Sequence, residues 1–303
     1  MMGRIFDDLE YCIFDPTGNI TALVETDVDI EDQPAAAARI MELEPDVEQV
    51  GFISYAGNTA DGGVPVSLRM AGGEFCGNAA MCAAALFAIR SGLQGGAVPV
   101  KISGASAPVM VRLERQAADS FGAAAEIPPA IRIGKIEAAA PAAEAPGAAL
   151  TLPIVEMEGI SHIIIEPDSG FFGIKEDSAL AESLLRQWCG ALGADCLGMM
   201  FLDEASIPGR EAPGESRVLT PLVYVPGADT MFWENSCASG SAAAGMYLAA
   251  RTGAPIDVTF DEPAGRLRVE SDPVSGRTVL HGSAILRKTV SGRSQRPPEP
   301  AIH

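Results

Sequence analysis

The sequence is poor in basic residues, in histidine and in aromatic side chains. Its 303 residues include 21 lysines and arginines against 40 aspartates and glutamates, which gives a formal net charge of −19, and only three histidines. A nucleic-acid surface must be basic, so this balance argues against a nucleic-acid partner. The acidic charge is compatible with a cationic ligand, although general solubility is the simpler interpretation.

Long apolar runs are also missing. None approaches the roughly 20 residues that a helix needs to cross a bilayer, so we expect no membrane association. The first ten residues carry Asp7, Asp8 and Glu10 and have no apolar core, which is not the pattern of a signal peptide. We therefore expect a cytoplasmic protein whose six cysteines are reduced.

The usual cofactor and nucleophile motifs are missing as well. The sequence contains neither G-x-G-x-x-G after a strand nor G-x-x-x-x-G-K-[ST], and it has no G-x-S-x-G elbow. Four of its six cysteines, Cys12, Cys82, Cys189 and Cys196, form no C-x-x-C pair. We therefore predict no bound cofactor and no metal site. Cys82 is most simply a small core residue.

What the sequence does contain is the pattern of a fully buried helix that begins at a cysteine. Gly72 and Gly73 break a strand-like run, and residues 77–89, which follow Cys76, are apolar on nearly every face. A helix that is apolar all round is buried on all sides. At its start, unpaired N–H groups and the positive end of the dipole should favour a thiolate and dock an anion beside it.

The same pattern occurs a second time at Cys237. In both copies an arginine lies fourteen positions after the cysteine and a glycine sixteen positions after it, which suits the end of a helix. The two copies are 237 − 76 = 161 residues apart, too far for a solenoid repeat. We interpret them as two similar domains that face each other, each offering one cysteine. The alternative is two unrelated alanine-rich helices that happen to begin with cysteine.

Strand-like segments dominate both halves of the chain. We predict an α+β fold in which each half wraps a sheet around one buried helix. The N-terminal domain covers residues 1–140 and the C-terminal domain residues 150–290, with an alanine- and proline-rich linker at 138–149 and a disordered tail at 291–303. Strands are predicted at 11–14, 20–25, 47–55, 66–70, 98–102, 108–113, 150–156, 162–166, 197–202, 218–225, 256–269 and 278–286. Further helices are predicted at 32–43 and at 178–192, the second capped by Ser178.

The two cysteine segments resemble the active-site motifs of the diaminopimelate epimerase family. The matching segments are Phe75-Cys76-Gly77-Asn78-Ala79 and Ser236-Cys237-Ala238-Ser239-Gly240, and the Gly18-Asn19 turn also fits. The resemblance implies two pseudo-symmetric domains with the active site in the cleft between them. It also implies inversion of an amino-acid α-carbon without pyridoxal phosphate, in which one thiolate removes the hydrogen and the opposite thiol returns a proton. The residues that it implies are the catalytic Cys76 and Cys237 and, as substrate contacts, Asn19 and the backbone N–H groups of Gly77, Asn78, Ala238, Ser239 and Gly240.

Departures from the family pattern concern the far end of the substrate. The Glu-Arg pair that the family carries before the second cysteine has no matching arginine in residues 225–230, and Ile160-Ser161-His162 stands where the family has Asn-Pro-His. The second carboxylate and ammonium of a diaminopimelate substrate would therefore lack their charged partners, which is costly in a buried site. His162 itself has two interpretations, a strand core residue or a catalytic residue.

The segment around Gly73–Ala79 is more similar to the histidine-racemase-like members of the family. We therefore expect a small amino-acid substrate, histidine first, and a possible homodimer. The alternatives are a diaminopimelate epimerase, a relative with isomerase or dehydratase chemistry, and a redox sensor that pairs the two cysteines.

Overall fold

The computed structural model describes residues 8–55, 64–139, 149–204 and 215–291. Within these ranges the chain forms four α-helices and sixteen strands. The helices are α1 (Gln33–Leu43), α2 (Gly77–Ser91), α3 (Ser178–Leu192) and α4 (Ala238–Thr252). The strands are β1 (Tyr11–Asp15), β2 (Thr21–Val24), β3 (Gln49–Tyr55), β4 (Val66–Met70), β5 (Gly95–Ile102), β6 (Val109–Ala117), β7 (Ser120–Ile127), β8 (Arg132–Ala139), β9 (Ala149–Met157), β10 (Ile160–Ile165), β11 (Leu197–Asp203), β12 (Glu215–Val225), β13 (Thr230–Trp233), β14 (Ile256–Asp261), β15 (Arg266–Ser271) and β16 (Thr278–Val290).

The strands before residue 130, together with β16, close into a ring around α2. Strands β1 to β7 pair in chain order, and β16 pairs with both β7 and β1. Helix α2 packs against β2 to β7 and against β16. Because strands surround it, every face of the helix meets apolar side chains, which is why its sequence has no polar stripe.

The second half of the chain repeats the pairing pattern of the first. In the first half β1–β2, β3–β4, β5–β6 and β6–β7 are antiparallel, whereas β2–β3 and β4–β5 are parallel and enclose α1 and α2. In the second half β9–β10, β11–β12, β14–β15 and β15–β16 are antiparallel, whereas β10–β11 and β12–β14 are parallel and enclose α3 and α4. Helix α4 packs against β9, β10, β11, β14, β15 and β16. The predicted mixture of sheet and buried helix is therefore confirmed.

Two strands pair with strands from the other half of the chain. Strand β16 lies late in the chain but completes the ring around α2. Strand β8 lies within residues 1–140 but pairs with β9 at the end of the other sheet. One path of paired strands therefore runs through both halves.

Some local expectations differ from the structure. Strands β7, β8 and β13 were not predicted, and the single strand expected at 256–269 is two strands, β14 and β15, joined by a turn. Helix α3 is capped by Asp177, which accepts the N–H of Leu180, and not by Ser178. The ends of the predicted linker belong to β8 and β9, and its residues 140–148 lie outside the described residues, as does the predicted tail from residue 292 onward. Within the described ranges no helix is both long and apolar enough to cross a membrane.

Candidate active site

The two helices that carry the repeated motif begin in the same way. Cys76 is the N-cap of α2, and its Sγ accepts the N–H of Ala79 at 3.3 Å. Cys237 is the N-cap of α4, and its Sγ accepts the N–H of Gly240, also at 3.3 Å. Each thiol thus takes the capping place that a serine or aspartate side chain usually fills. Both helices end at a glycine in the left-handed region, as their sequences predicted.

The two helix starts lie side by side. The side-chain amide of Asn78 donates to the carbonyl oxygen of Ser236 at 3.2 Å, across the boundary between the halves. A Cβ atom added to Gly77 would lie 3.0 Å from the Cβ of Ala238. Only a glycine at position 77 leaves room for this approach without a shift of its neighbours.

Both cysteines line one small cavity, which we call the inner cavity. Its wall comes from the two helix starts and from the strands on either side. The lining residues are Gln49, Glu74, Phe75, Cys76, Asn78, Ile160, Val223, Val225, Glu234, Cys237, Ala238 and Ser239. Cys76 is 5% and Cys237 is 4% exposed, so both thiols face a nearly dry space.

Gln49 connects the first thiol to the opposite half of the molecule. The thiol of Cys76 donates to Oε1 of Gln49 at 2.8 Å. Nε2 of Gln49 in turn donates to Oε1 of Glu234 at 3.0 Å. Glu234 lies three residues before Cys237, so one amide side chain bridges the surroundings of both thiols.

Buried carboxyl groups surround the second thiol. Glu262 accepts the backbone N–H of Cys237 at 3.0 Å and the hydroxyl of Ser241 at 2.7 Å. Burial raises the pKa of Glu262 to about 7. Burial, reinforced by the negative charges of Glu48 and Glu262, raises the pKa of Glu234 to about 8. The site therefore holds carboxyl groups that are readily protonated at neutral pH.

The structure overturns the expectation that the helix starts push both thiols toward thiolate. Burial raises the pKa of Cys76 far above its usual value, and the charges of Glu234 and Glu74 add to the increase, while the N–H of Ala79 opposes it. Burial likewise raises the pKa of Cys237, with further increases from Glu234 and Glu262. Loss of hydration outweighs the helix dipole here and favours the neutral thiol at both cysteines.

The predicted contact residues do not all reach the cavity. Asn78, Ala238 and Ser239 line it. Gly77 lies at the contact between the helix starts, and the N–H of Gly240 is engaged by the sulfur of Cys237. Asn19 lies behind the cavity wall, where its side-chain amide donates to Glu48 at 3.2 Å.

His162 is neither a plain core residue nor a direct neighbour of the cavity. It lies fully buried on β10, and its Nε2 is 3.0 Å from the hydroxyl of Ser239. That hydroxyl is 3.6 Å from the sulfur of Cys237. Burial lowers the pKa of His162 to about 3, so the ring is neutral.

Sequence reasoning missed five polar residues around the site, of which Glu74, Glu234 and Glu262 are buried and the others half-buried. These are Glu48, Gln49, Glu74, Glu234 and Glu262. Glu74 and Glu234 lie two and three residues before the cysteines, and a carboxylate next to an apolar helix start is a signal that could have drawn attention. Glu48, Gln49 and Glu262 are remote in sequence, and only the pairing of the strands brings them to the site.

Comparison with known proteins shows the family of this chain. The family described as "Histidine racemase CntK N-terminal domain" matches residues 8–280. The chain belongs to the histidine racemase family. The resemblance expected from the two cysteine motifs is thereby confirmed.

Relatives of this family match over most of their length. The histidine racemase of Staphylococcus aureus (strain Mu50) is 29% identical over 268 residues, covering 87% of this chain and 88% of that protein. The histidine racemase of Fusobacterium nucleatum subsp. nucleatum is 30% identical over 250 residues, covering 79% of this chain and 81% of that protein.

Solved structures share the fold at low sequence identity. A Bacillus anthracis phenazine biosynthesis protein of the PhzF family aligns with a TM-score of 0.57 at 11% identity, covering 94% of this chain and 99% of that chain. Methylitaconate-delta-isomerase aligns with a TM-score of 0.52 at 10% identity, covering 96% and 99%. These likenesses concern the fold alone.

Proposed function

We propose that this protein is a histidine racemase that inverts the α-carbon with two thiols and no pyridoxal phosphate. The observation that carries the proposal is the meeting of Cys76 and Cys237 at one cavity, each at the start of a buried helix and each from a different half of the chain. Family membership supports the choice of substrate.

In this proposal the halves of the chain act as two pseudo-symmetric domains of the diaminopimelate epimerase type. Their boundaries are those predicted from the sequence, residues 1–140 and 150–290, with β8 and β16 exchanged between them. The repeated strand pairing supports this division. The enzyme acts in the cytoplasm, and a homodimer is the assembly that we expect; its mass in solution, measured by light scattering, tests that expectation.

The α-carboxylate of the substrate binds at the two helix starts. The first N–H groups of a helix have no acceptor within the helix, and the dipole favours an anion there. The N–H groups of Gly77 and Asn78 in α2 and of Ala238 and Ser239 in α4 occupy these positions. Two helix starts aimed at one carboxylate stabilise the negative charge that develops when the α-proton leaves.

The α-ammonium group binds on the carboxylate side of the inner cavity. Glu234 is 4% exposed, and Oε2 of its carboxyl group has no hydrogen-bond partner among the described residues. An ammonium group satisfies such an oxygen. Its positive charge also opposes the carboxylates that raise the pKa of both cysteines, so a thiolate forms more readily when substrate is bound.

Inversion then needs a base on one face of the α-carbon and an acid on the opposite face. A thiolate on one side takes the α-proton, and the electron pair of the broken C–H bond is delocalised toward the bound carboxylate. The thiol on the opposite side gives its proton to the α-carbon and becomes the thiolate. The two sulfurs thus exchange protonation states in each turnover, and the reverse reaction uses them in the opposite roles.

The test is a racemisation screen of the purified protein over the L-amino acids and LL-diaminopimelate, with chirality followed by circular dichroism. We expect kcat/KM to be highest for L-histidine. A site that lacks partners for a second amino-acid head discriminates against it, by roughly 10⁴-fold in favourable cases. A higher kcat/KM for diaminopimelate would instead assign the alternative epimerase function.

A further inference from the structure

One buried carboxylate near the thiols remains without a role in the reaction as proposed. Glu74 lies two residues before Cys76 and is 8% exposed. Oε2 of its carboxyl group has no hydrogen-bond partner among the described residues. A buried acceptor that is left unpaired is costly, so an oxygen in this position indicates a missing donor.

Glu74 lines both the inner cavity and a second one, which we call the outer cavity. The two cavities share Glu74, Gln49 and Glu234, as well as two valines of β12, so they are neighbours on either side of these side chains. The unpaired oxygen belongs to the residue at this junction. Both thiols line the inner cavity together with Glu74.

The outer cavity combines apolar and acidic side chains. Its apolar wall includes Met41, Val50 and Phe232. No lysine or arginine is among the described residues that line either cavity. Apolar walls with a few convergent polar groups are typical of small-molecule sites, and a buried acidic group in such a wall favours a donor. The charge of Arg69 lowers the pKa of Glu74, but burial outweighs it and raises the pKa overall.

The other two carboxylates that line this space have partners, Glu48 within the structure and Glu234 in the proposed complex with the substrate. Glu48 accepts the backbone N–H of Asn235 at 3.2 Å, the side-chain amide of Asn235, and the side-chain amide of Asn19 at 3.2 Å. Glu234 accepts from Gln49 and lies beside the thiols, where the α-ammonium is expected. Glu74 is therefore the carboxylate left for the side chain of the substrate.

The chain also keeps space open around the oxygen of Glu74. A Cβ atom added to Gly72 would lie 2.8 Å from Oε2 of Glu74 and 2.4 Å from a methyl group of Val225. Any larger residue at position 72 would press on the carboxylate and on the wall that both cavities share.

We propose that Glu74 binds the side-chain N–H of the substrate and thereby makes the site specific for an imidazole. The inference rests on the proposed racemase function and deepens it. Glu74 takes no proton from the α-carbon; it is a specificity-determining residue, and its effect is expected in the discrimination between substrates.

The experiment compares L-histidine with 3-(2-thienyl)-L-alanine, which has a five-membered ring of similar shape but no N–H. Exchange of the α-hydrogen in D₂O is measured for both compounds with the wild-type protein, with Glu74→Gln and with Glu158→Gln. Glu158 lies outside both cavities, where its carboxylate accepts the N–H of Ser106, and serves as the matched control.

We expect the wild-type protein to prefer L-histidine, and Glu74→Gln to lower its kcat/KM for L-histidine by roughly 10- to 100-fold, mainly through KM. The value for thienylalanine should change little, so the preference between the two compounds falls by about the same factor. Glu158→Gln should keep the wild-type preference.

Two results would overturn the inference while leaving the racemase function in place. One is an unchanged preference in Glu74→Gln, and the other is an equal loss with both compounds, which would make Glu74 structural. If the wild-type protein failed to exchange the α-hydrogen of L-histidine at all, the proposed function itself would be wrong.

Discussion

The starts of α2 and α4 have the same capping geometry but different surroundings. In both, a cysteine caps the helix and accepts the N–H three residues later at the same 3.3 Å. Around Cys76 the direct partner is the neutral amide of Gln49. Around Cys237 a buried carboxylate, Glu262, takes the N–H of the cysteine itself.

This difference shows that the repeat fixes the position of each sulfur but not its chemistry. The helix dipole acts equally on both thiols, whereas the side chains that face them come from non-repeated positions. Carboxylates raise the pKa of both thiols, Glu234 and Glu74 for Cys76, and Glu234 and Glu262 for Cys237. Because only Cys76 donates to a neutral amide, we expect Cys237 to be the thiol that is harder to ionise. We therefore expect that, when substrate binds, Cys76 is the first of the two thiols to ionise.

The largest effect is expected when either of the two thiols is removed. Cys76→Ala and Cys237→Ala should each lower racemisation of L-histidine by about 10²–10⁴-fold, because one face of the α-carbon then lacks its acid or base. Chirality measurements on each purified variant test this. Cys189→Ala is the control and should keep nearly full activity, because Cys189 lies on α3 in a core cluster separate from the one that contains both active-site cysteines. Near-normal racemisation by either active-site variant contradicts the two-thiol mechanism.

A smaller effect is expected when the surroundings of Cys76 are made to resemble those of Cys237. Gln49→Glu places a carboxylate where the thiol of Cys76 now meets an amide, and also opposite Glu234. The added negative charge should raise the pKa of Cys76 and lower kcat by roughly 10- to 100-fold. Gln94→Glu, at an exposed position, is the matched control. Unchanged kinetics in Gln49→Glu would show that the neutral partner is unimportant.

Thiol reactivity measures the same asymmetry without substrate. The two sulfurs are almost equally buried, so charge and not access should decide their rates of alkylation. With iodoacetamide at pH 8, followed by peptide mass spectrometry, we expect slow modification at both sites and a rate for Cys76 about tenfold that for Cys237. Faster modification of Cys237 would reverse the assignment of the first thiolate.

The smallest effect concerns stability. The pKa of Glu262 is raised to about 7 and that of Glu234 to about 8, so between pH 6.5 and 8 the folded state holds more protons than the unfolded state. The free energy of unfolding should therefore fall as the pH rises through this window. Neutral His162, whose pKa is lowered to about 3, contributes its pH dependence only below about pH 6.5.

Urea unfolding at pH 6.5 and pH 8 tests this, with Glu234→Gln expected to flatten the pH dependence. Glu158→Gln should leave it unchanged, because the pKa of Glu158 is lowered and its titration lies at acidic pH. A stability that rises from pH 6.5 to pH 8 in the wild-type protein would mean that these carboxyl groups are ionised in the folded state.

The sequence predicted most of the fold that positions the cysteines. The buried helices were recognisable because an all-apolar run has only one stable environment, and Arg90-Ser91-Gly92 marked the end of α2 at its glycine cap. Strand β7 was missed because its run Ser120–Ile127 is mostly alanine and glycine, which carry little strand signal. The exchange of β8 and β16 is a matter of long-range pairing, which local patterns do not encode.

The sequence predicted the two cysteines of the site but not the charged residues around them. A cysteine before an apolar run is a local pattern, so Cys76 and Cys237 could be found. The pKa of each thiol depends on burial and on Glu234 and Glu262, which only the folded chain brings together. The helix-dipole argument was correct in direction but smaller than the desolvation that it had to overcome.

The most direct test of the account is the fate of the α-hydrogen when L-histidine turns over in D₂O. With two thiols on opposite faces, the sulfur that takes the hydrogen is not the one that returns a proton. Early in the reaction, the D-histidine formed should therefore carry one deuterium at the α-carbon, while the remaining L-histidine stays largely unlabelled. D-histidine that retained its original α-hydrogen would contradict the two-thiol account.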